Sequence, residues 1–238
     1  MMDNAQKKTA VLFVHGLQGS PSQFDFLIRG LPKGTAYVSL LLPGHGGSVK
    51  SFRRSGRAAW ERSVQQAAVA LGQSYDRVIL VGHSMGCLLG LKAAMQPGIR
   101  FDAMLFIACP LRIRITARYL RNNFLAVSRR QTRDPQVLAA RAANSVRAAH
   151  PLAFLTCLHP YLELLRLMRE IGKTHPRPLL RVTAAFPAYD EIVSPRSFRI
   201  AREDWRFAPV VLPGSSHQYF SPAARGTLKD ILRAMIRS

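Results

Sequence analysis

Val78-Ile79-Leu80-Val81-Gly82-His83-Ser84-Met85-Gly86-Cys87-Leu88-Leu89-Gly90-Leu91 is the stretch that decides the fold. Its four leading apolar residues read as a buried strand, and Cys87 onward to Met95 reads as a helix. Between them stands G-x-S-x-G, Gly82 to Gly86. A serine on so tight a strand-to-helix turn is pushed out of the sheet with its Oγ exposed. The flanking glycines leave room where a Cβ would strike the neighbouring strand or helix. The helix that follows directs its free N–H groups and positive dipole end at charge developing beside the serine.

Working outward, strand and helix patterns alternate. Strands are predicted near 10–14, 36–41, 77–82, 102–108, 179–184 and 207–212, and helices near 22–30, 57–72, 85–96, 195–204 and 222–236. Trp60, Val64, Ala67, Ala68 and Leu71 share one helical face, as do Leu228, Ile231, Leu232, Met235 and Ile236. Ser20-Pro21, Ser194-Pro195 and Ser221-Pro222 each read as a helix start, serine capping and proline in the first turn. Such alternation predicts an α/β fold: a mostly parallel sheet covered by helices on both faces, with active residues at the strands' carboxyl ends. The 238 residues, 48% of them hydrophobic, suffice for one domain with a sizeable core.

One stretch breaks the rhythm. Residues 111–177 carry helical patterns and no strand pattern, and are expected to form a helical lid inserted between two late strands of a core made of 1–110 and 178–238. Ile115, Tyr119, Leu120 and Phe124 make one apolar stripe; Leu158, Tyr161, Leu165, Met168 and Ile171 make another. Phe124, Leu158, Tyr161 and Leu165 are the candidates for lining an acyl groove.

A serine hydroxyl needs a base in hydrogen-bond reach, and the base needs an orienting acid. Of the histidines downstream of Ser84, His150, His159 and His175 fall in the expected lid, whereas His217 lies just beyond the last predicted strand, at the serine's edge of the sheet. His217 is therefore the expected base. The loop Phe186-Pro187-Ala188-Tyr189-Asp190-Glu191 follows the preceding strand and offers Asp190 as the acid, with Glu191 as fallback. An oxyanion needs two preorganised N–H donors. The backbone amides of Met85, after the nucleophile, and of Leu17, in His15-Gly16-Leu17-Gln18-Gly19 after the first strand, are the expected pair. His15 and His45 are read as loop braces.

Taken in order, His15-Gly16, Pro43-Gly44-His45-Gly46, Gly82–Gly86, Asp190-Glu191-Ile192-Val193 and Ser216-His217 resemble the α/β-hydrolase superfamily over nearly the whole chain, in particular small bacterial carboxylesterases and monoacylglycerol lipases. The resemblance implies a Ser84–His217–Asp190 triad and oxyanion donors at Leu17 and Met85. The apolar stripes of the expected lid point to short- to medium-chain acyl esters or monoacylglycerols as the small-molecule substrate. Thioester hydrolysis, acyl transfer to another acceptor, and a non-catalytic ligand-binding role of the same fold stand as alternatives. Dehalogenases and epoxide hydrolases of the superfamily carry aspartate where this chain has Ser84.

No cofactor is expected, since neither a metal-ligand cluster nor a phosphate-cradling glycine loop is present. With 34 Lys and Arg against 13 Asp and Glu, the net charge is +21. The segment 111–177 holds 13 of those cations and three acids. Anionic lipid surfaces are thus candidate partners; nucleic acid is not expected, for want of a recognition motif. Cys87, Cys109 and Cys157 read as reduced thiols. The polar stretch from Met1 to Lys8 is too short for a secretory signal, so the expected location is cytoplasmic. The sequence sets no oligomeric state.

Overall fold

The computed structural model describes residues 8–128, 130–148, 150–174 and 181–238. Met1–Lys7, His175 and positions 176–180, which include the start of the strand expected at 179–184, lie outside them.

β1 (Thr9–Val14) leads through a 3-10 turn (Pro21–Phe24) into α1 (Asp25–Ile28) and then β2 (Ala36–Leu40). α2 (Val49–Phe52) and α3 (Arg57–Ser74) precede β3 (Arg77–His83), α4 (Met85–Ala94) and β4 (Ala103–Ile107). The chain then runs through α5 (Ala117–Ser128), α6 (Pro135–Ala143), a 3-10 turn (Pro151–Thr156) and α7 (Leu158–Thr174). It ends with β5 (Val182–Pro187), α8 (Arg196–Glu203), β6 (Ala208–Leu212) and α9 (Pro222–Arg237). The six strands form one parallel sheet in the order β2-β1-β3-β4-β5-β6.

Strict alternation along the central strands divides two cores. Ala10, Leu12, Val14, Val78 and Leu80 face one way, against α3, α4, α7 and α8. Val11, Phe13, Ile79 and Val81 face the other, against α1 and α9. Because helices cover both faces, the central strands read as continuous apolar runs. β5 ends at Phe186 and Pro187, three residues beyond the predicted strand. Proline has no N–H for the ladder, so sequence alone places it in a loop; here it occupies the last position, paired with Leu212. Ser221 caps α9 by accepting the Ala224 N–H at 3.2 Å, with Pro222 in the first turn.

Between β4 and β5 the described residues form helices and no strand of the sheet. This insert is tied to the sheet's carboxyl edge by bridges of Ile113 to Val193 and of Arg147 to Ser48.

The elbow depends on a close approach. A Cβ on Gly86 would lie 1.9 Å from the Val14 carbonyl oxygen, and one on Gly82 would lie 2.7 Å from the Cys87 nitrogen. Gly72, exposed in α3, has nothing within 4 Å of its Cβ position. Gly86→Ala is therefore expected to destabilise by about 4 kcal/mol or more, and Gly72→Ala to stabilise by about 0.5–1 kcal/mol through helix entropy. Denaturant titration of the two variants checks the contrast.

Candidate active site

β1 sits between β2 and β3, so the chain leaves β1 towards one neighbour and crosses back over it to the other. At such a switch point the exit loops part and leave a crevice at the strands' carboxyl ends. Ser84 stands at that crevice, immediately after β3, with φ 50° and ψ −119°. Its amide donates to the Ile107 carbonyl at the end of β4 (2.9 Å). Of the other non-glycine residues with positive φ among the described residues, Gln18 follows β1 and Ala108 follows β4, while Arg206 precedes β6. Three of the four thus fall along this edge.

The loop after β6 brings His217 Nε2 to 3.1 Å from Ser84 Oγ. The loop after β5 brings the Asp190 carboxylate to 3.0 and 3.2 Å from His217 Nδ1. Asp190 is itself held: its Oδ1 accepts the amides of Ile192 (2.8 Å) and Val193 (2.7 Å). Burial would raise the pKa of Asp190, but the His217 ring and these amides reverse that and leave it lowered. For His217 the balance is the mirror image. Burial alone would lower its pKa, yet the Asp190 carboxylate, and Glu191 behind it, carry it above the ordinary imidazole value.

Two buried groups clamp the His217 backbone. Glu191 Oε2 accepts the His217 N–H (3.1 Å), and His83 Nε2–H donates to the His217 carbonyl (2.9 Å). Burial and the neighbouring His217 hold the His83 pKa down at about 3, so it stays a neutral donor. His15 and His45 tie the exit loops of β1 and β2 together. His15 Nδ1–H donates to Gly16 O (2.8 Å) and Nε2 accepts the Leu42 amide (3.0 Å). His45 Nδ1–H donates to Pro43 O (3.2 Å) and Nε2 accepts the Gln18 amide (3.1 Å). Burial lowers their pKa values to about 3 and about 4.

The amides of Leu17, beyond β1, and Met85, at the N-terminus of α4, find no acceptor among the described residues. Beside them opens a cavity of about 340 Å³ onto which Ser84 and His217 both face. Leu158, Tyr161 and Leu165 line it as the sequence reading expects, but Phe124 does not. α5 turns Tyr119, Asn122 and Asn123 to the cavity, which leaves Phe124 half-exposed beneath the Arg130 guanidinium. The apolar stripe misled because two of the three cavity-facing positions of α5 are asparagine: Asn122, only 3% exposed, and Asn123. The spacing 115, 119, 122 was the available signal. Gln18 is a further polar liner, and its Nε2 donates to the Tyr161 hydroxyl.

A family model, described as the Alpha/beta hydrolase family, matches residues 11–226. The chain belongs to the alpha/beta hydrolase family. No curated protein is a significant sequence match. Among solved structures, this hydrolase is similar to one belonging to the metagenome-derived lipolytic enzymes LipS and LipT, at 20% identity and TM-score 0.72 over 98% of this chain and 94% of that one. It is also similar to a monoacylglycerol lipase of Paleococcus ferrophilus (17%, TM-score 0.65, 96% and 94% covered). A third similar structure, from work on carboxylesterases of the thaumarchaeon Nitrososphaera gargenis, gives 16% and TM-score 0.60, with 99% and 92% covered. At these identities the likeness speaks for the fold of the hydrolase.

Glu191 faces both this cavity and His217, a position that gives it a charge effect separable from that of Asp190. In Glu191→Gln, the His217 imidazole, followed by NMR titration, is expected to titrate at lower pH than in the parent chain. An unmoved titration would remove Glu191 from the electrostatics of the site.

Proposed function

We propose that this hydrolase cleaves carboxylic esters of short to medium acyl chain, monoacylglycerols among them, through an acyl-enzyme on Ser84. The observation that carries the reading is the hydrogen-bonded chain Ser84–His217–Asp190 beside two unpaired backbone amides at one cavity. In this mechanism His217 takes the Ser84 proton as Oγ attacks the ester carbonyl. Asp190 holds the imidazole by Nδ1 and stabilises the imidazolium. The Leu17 and Met85 N–H groups hold the tetrahedral oxyanion. His217 then hands its proton to the leaving alcohol as the carbon–oxygen bond breaks. Water, deprotonated by the same ring, repeats the cycle on the acyl-enzyme and regenerates Ser84.

The cavity supports an amphipathic substrate. Ile113, Ile115, Leu158, Leu164 and Leu165 supply an apolar wall for an acyl chain, and Gln18, Asn122 and Tyr161 supply hydrogen-bonding groups for the other end. The helical insert that provides most of this wall would act as the lid. The lipase and esterase names of the structural relatives agree with the reading. Three buried cysteines without a disulfide among the described residues fit a reducing compartment such as the cytoplasm. No helix of the described residues is long and apolar enough to cross a membrane.

Ser84→Ala should reduce turnover of p-nitrophenyl acyl esters by about 10³-fold or more, with an unchanged melting temperature. Across an acyl-chain series the parent protein should prefer short and medium chains to long ones. Ester turnover retained by Ser84→Ala would contradict the mechanism.

A further inference from the structure

The outward face of the helical insert is built unlike the rest of the surface. Nine of the fifteen large apolar side chains that are exposed among the described residues fall between positions 115 and 165. Helix α7 shows the pattern most clearly. Its inner face, Leu164, Leu167, Met168 and Ile171, packs on the core. Its outer face, spaced for one stripe, runs Leu158, Leu162, Leu165 and then Arg166, Arg169 and Lys173. A helix already anchored by one apolar face gains nothing in water from a second. The preceding 3-10 turn adds Leu152 and Leu155, the latter 78% exposed. α5 adds Leu120 and Phe124.

This apolar face adjoins the mouth of the cavity. Ile115, Leu158 and Leu165 line the cavity, yet Ile115 and Leu158 are 61% and 63% exposed. On the outer face of α7 Arg169 has no carboxylate partner among the described residues, while Arg166 pairs with Glu163. Elsewhere in the insert Arg114, Arg133 and Arg147 also have none, so the insert carries cations in excess. Leucines followed by arginines on one face match the boundary between hydrocarbon and anionic headgroups. A second copy of the chain fits poorly, because two faces of a +21 protein would meet arginine to arginine. Nucleic acid would leave the leucines unused.

We infer that the outer face of the insert, from Leu152 and Leu155 through Leu158, Leu162 and Leu165 to Arg166 and Arg169, docks on an anionic lipid membrane surface with the cavity mouth turned towards it. The leucines enter the acyl boundary while the arginines sit among the headgroups. An acyl chain then passes from the bilayer over Leu158 and Leu165 into the cavity without crossing water; only this last step rests on the ester-hydrolase reading.

The experiment is co-sedimentation of the full chain, carrying Ser84→Ala so that no turnover intervenes, with vesicles of phosphatidylcholine alone or mixed with phosphatidylglycerol. Binding is expected to the mixed vesicles and to weaken with added salt. Leu152→Ser with Leu155→Ser should weaken it by about ten-fold or more, and Arg166→Gln with Arg169→Gln by about five-fold or more. All four residues lie outside the cavity lining, so p-nitrophenyl ester turnover by the otherwise unmodified chain should be unchanged. Equal binding to both vesicles, no binding to either, or a dimer in vesicle-free solution that the serine substitutions dissolve would each overturn the proposal. Vesicle binding by a chain that hydrolyses no ester would leave the docking intact and remove the ester reading alone.

Discussion

Helix α4 rests its first turn on the carbonyl edge of β1, at the point where Gly86 meets Val14 O with no room for a Cβ. The rest of the site depends on this approach. It sets Ser84 in a strained turn after β3, with its amide tied to the end of β4. It brings the N-terminus of α4, with the Met85 amide, beside the exit loop of β1 that carries the Leu17 amide. Two glycines and a parallel register, Val14 opposite Gly82, thus place the Ser84 hydroxyl and two free donors together before any loop chemistry is considered.

Around that fixed point, burial sorts the histidines. His15 and His45 commit both ring nitrogens to backbone groups, His83 commits its Nε2, and desolvation keeps all three neutral. His217, equally buried, differs because a carboxylate faces its Nδ1 and a second accepts its backbone N–H. One imidazole is therefore poised to accept a proton while its neighbours act as neutral struts. The same physics separates site from surface. The chain carries an excess of cations, but the side chains that flank His217 are Asp190 and Glu191.

Much of this was legible in the residues. Local grammar marked the elbow, and the exit loops after the late strands contained Asp190 and His217, which the structure brings within hydrogen-bond reach of one another. The six-stranded parallel sheet followed from apolar runs and helical stripes. What escaped was tertiary. The end of β5 was hidden by Pro187, whose missing N–H is harmless at the last pairing. Phe124 does not line the cavity because α5 meets it through a mixed face containing Asn122, and hydrophobic spacing pointed nearly half a turn away. In α7 the apolar positions serve two surfaces, core and exterior, and a single periodicity cannot apportion them. The clamp on His217 by His83 and Glu191 joins positions 134 and 26 residues apart, which no local pattern reveals.

In the proposed mechanism Ser84, His217 and the amides of Leu17 and Met85 surround one reacting carbon. A crystal structure of the chain after reaction with an alkyl fluorophosphonate, whose phosphorus mimics that tetrahedral carbon, tests this arrangement. Phosphorus is expected on Ser84 Oγ, with the phosphoryl oxygen within about 2.7–3.1 Å of both amide nitrogens and the alkyl chain along Leu158 and Leu165. An adduct on another residue, or a phosphoryl oxygen turned away from Leu17 and Met85, would contradict it.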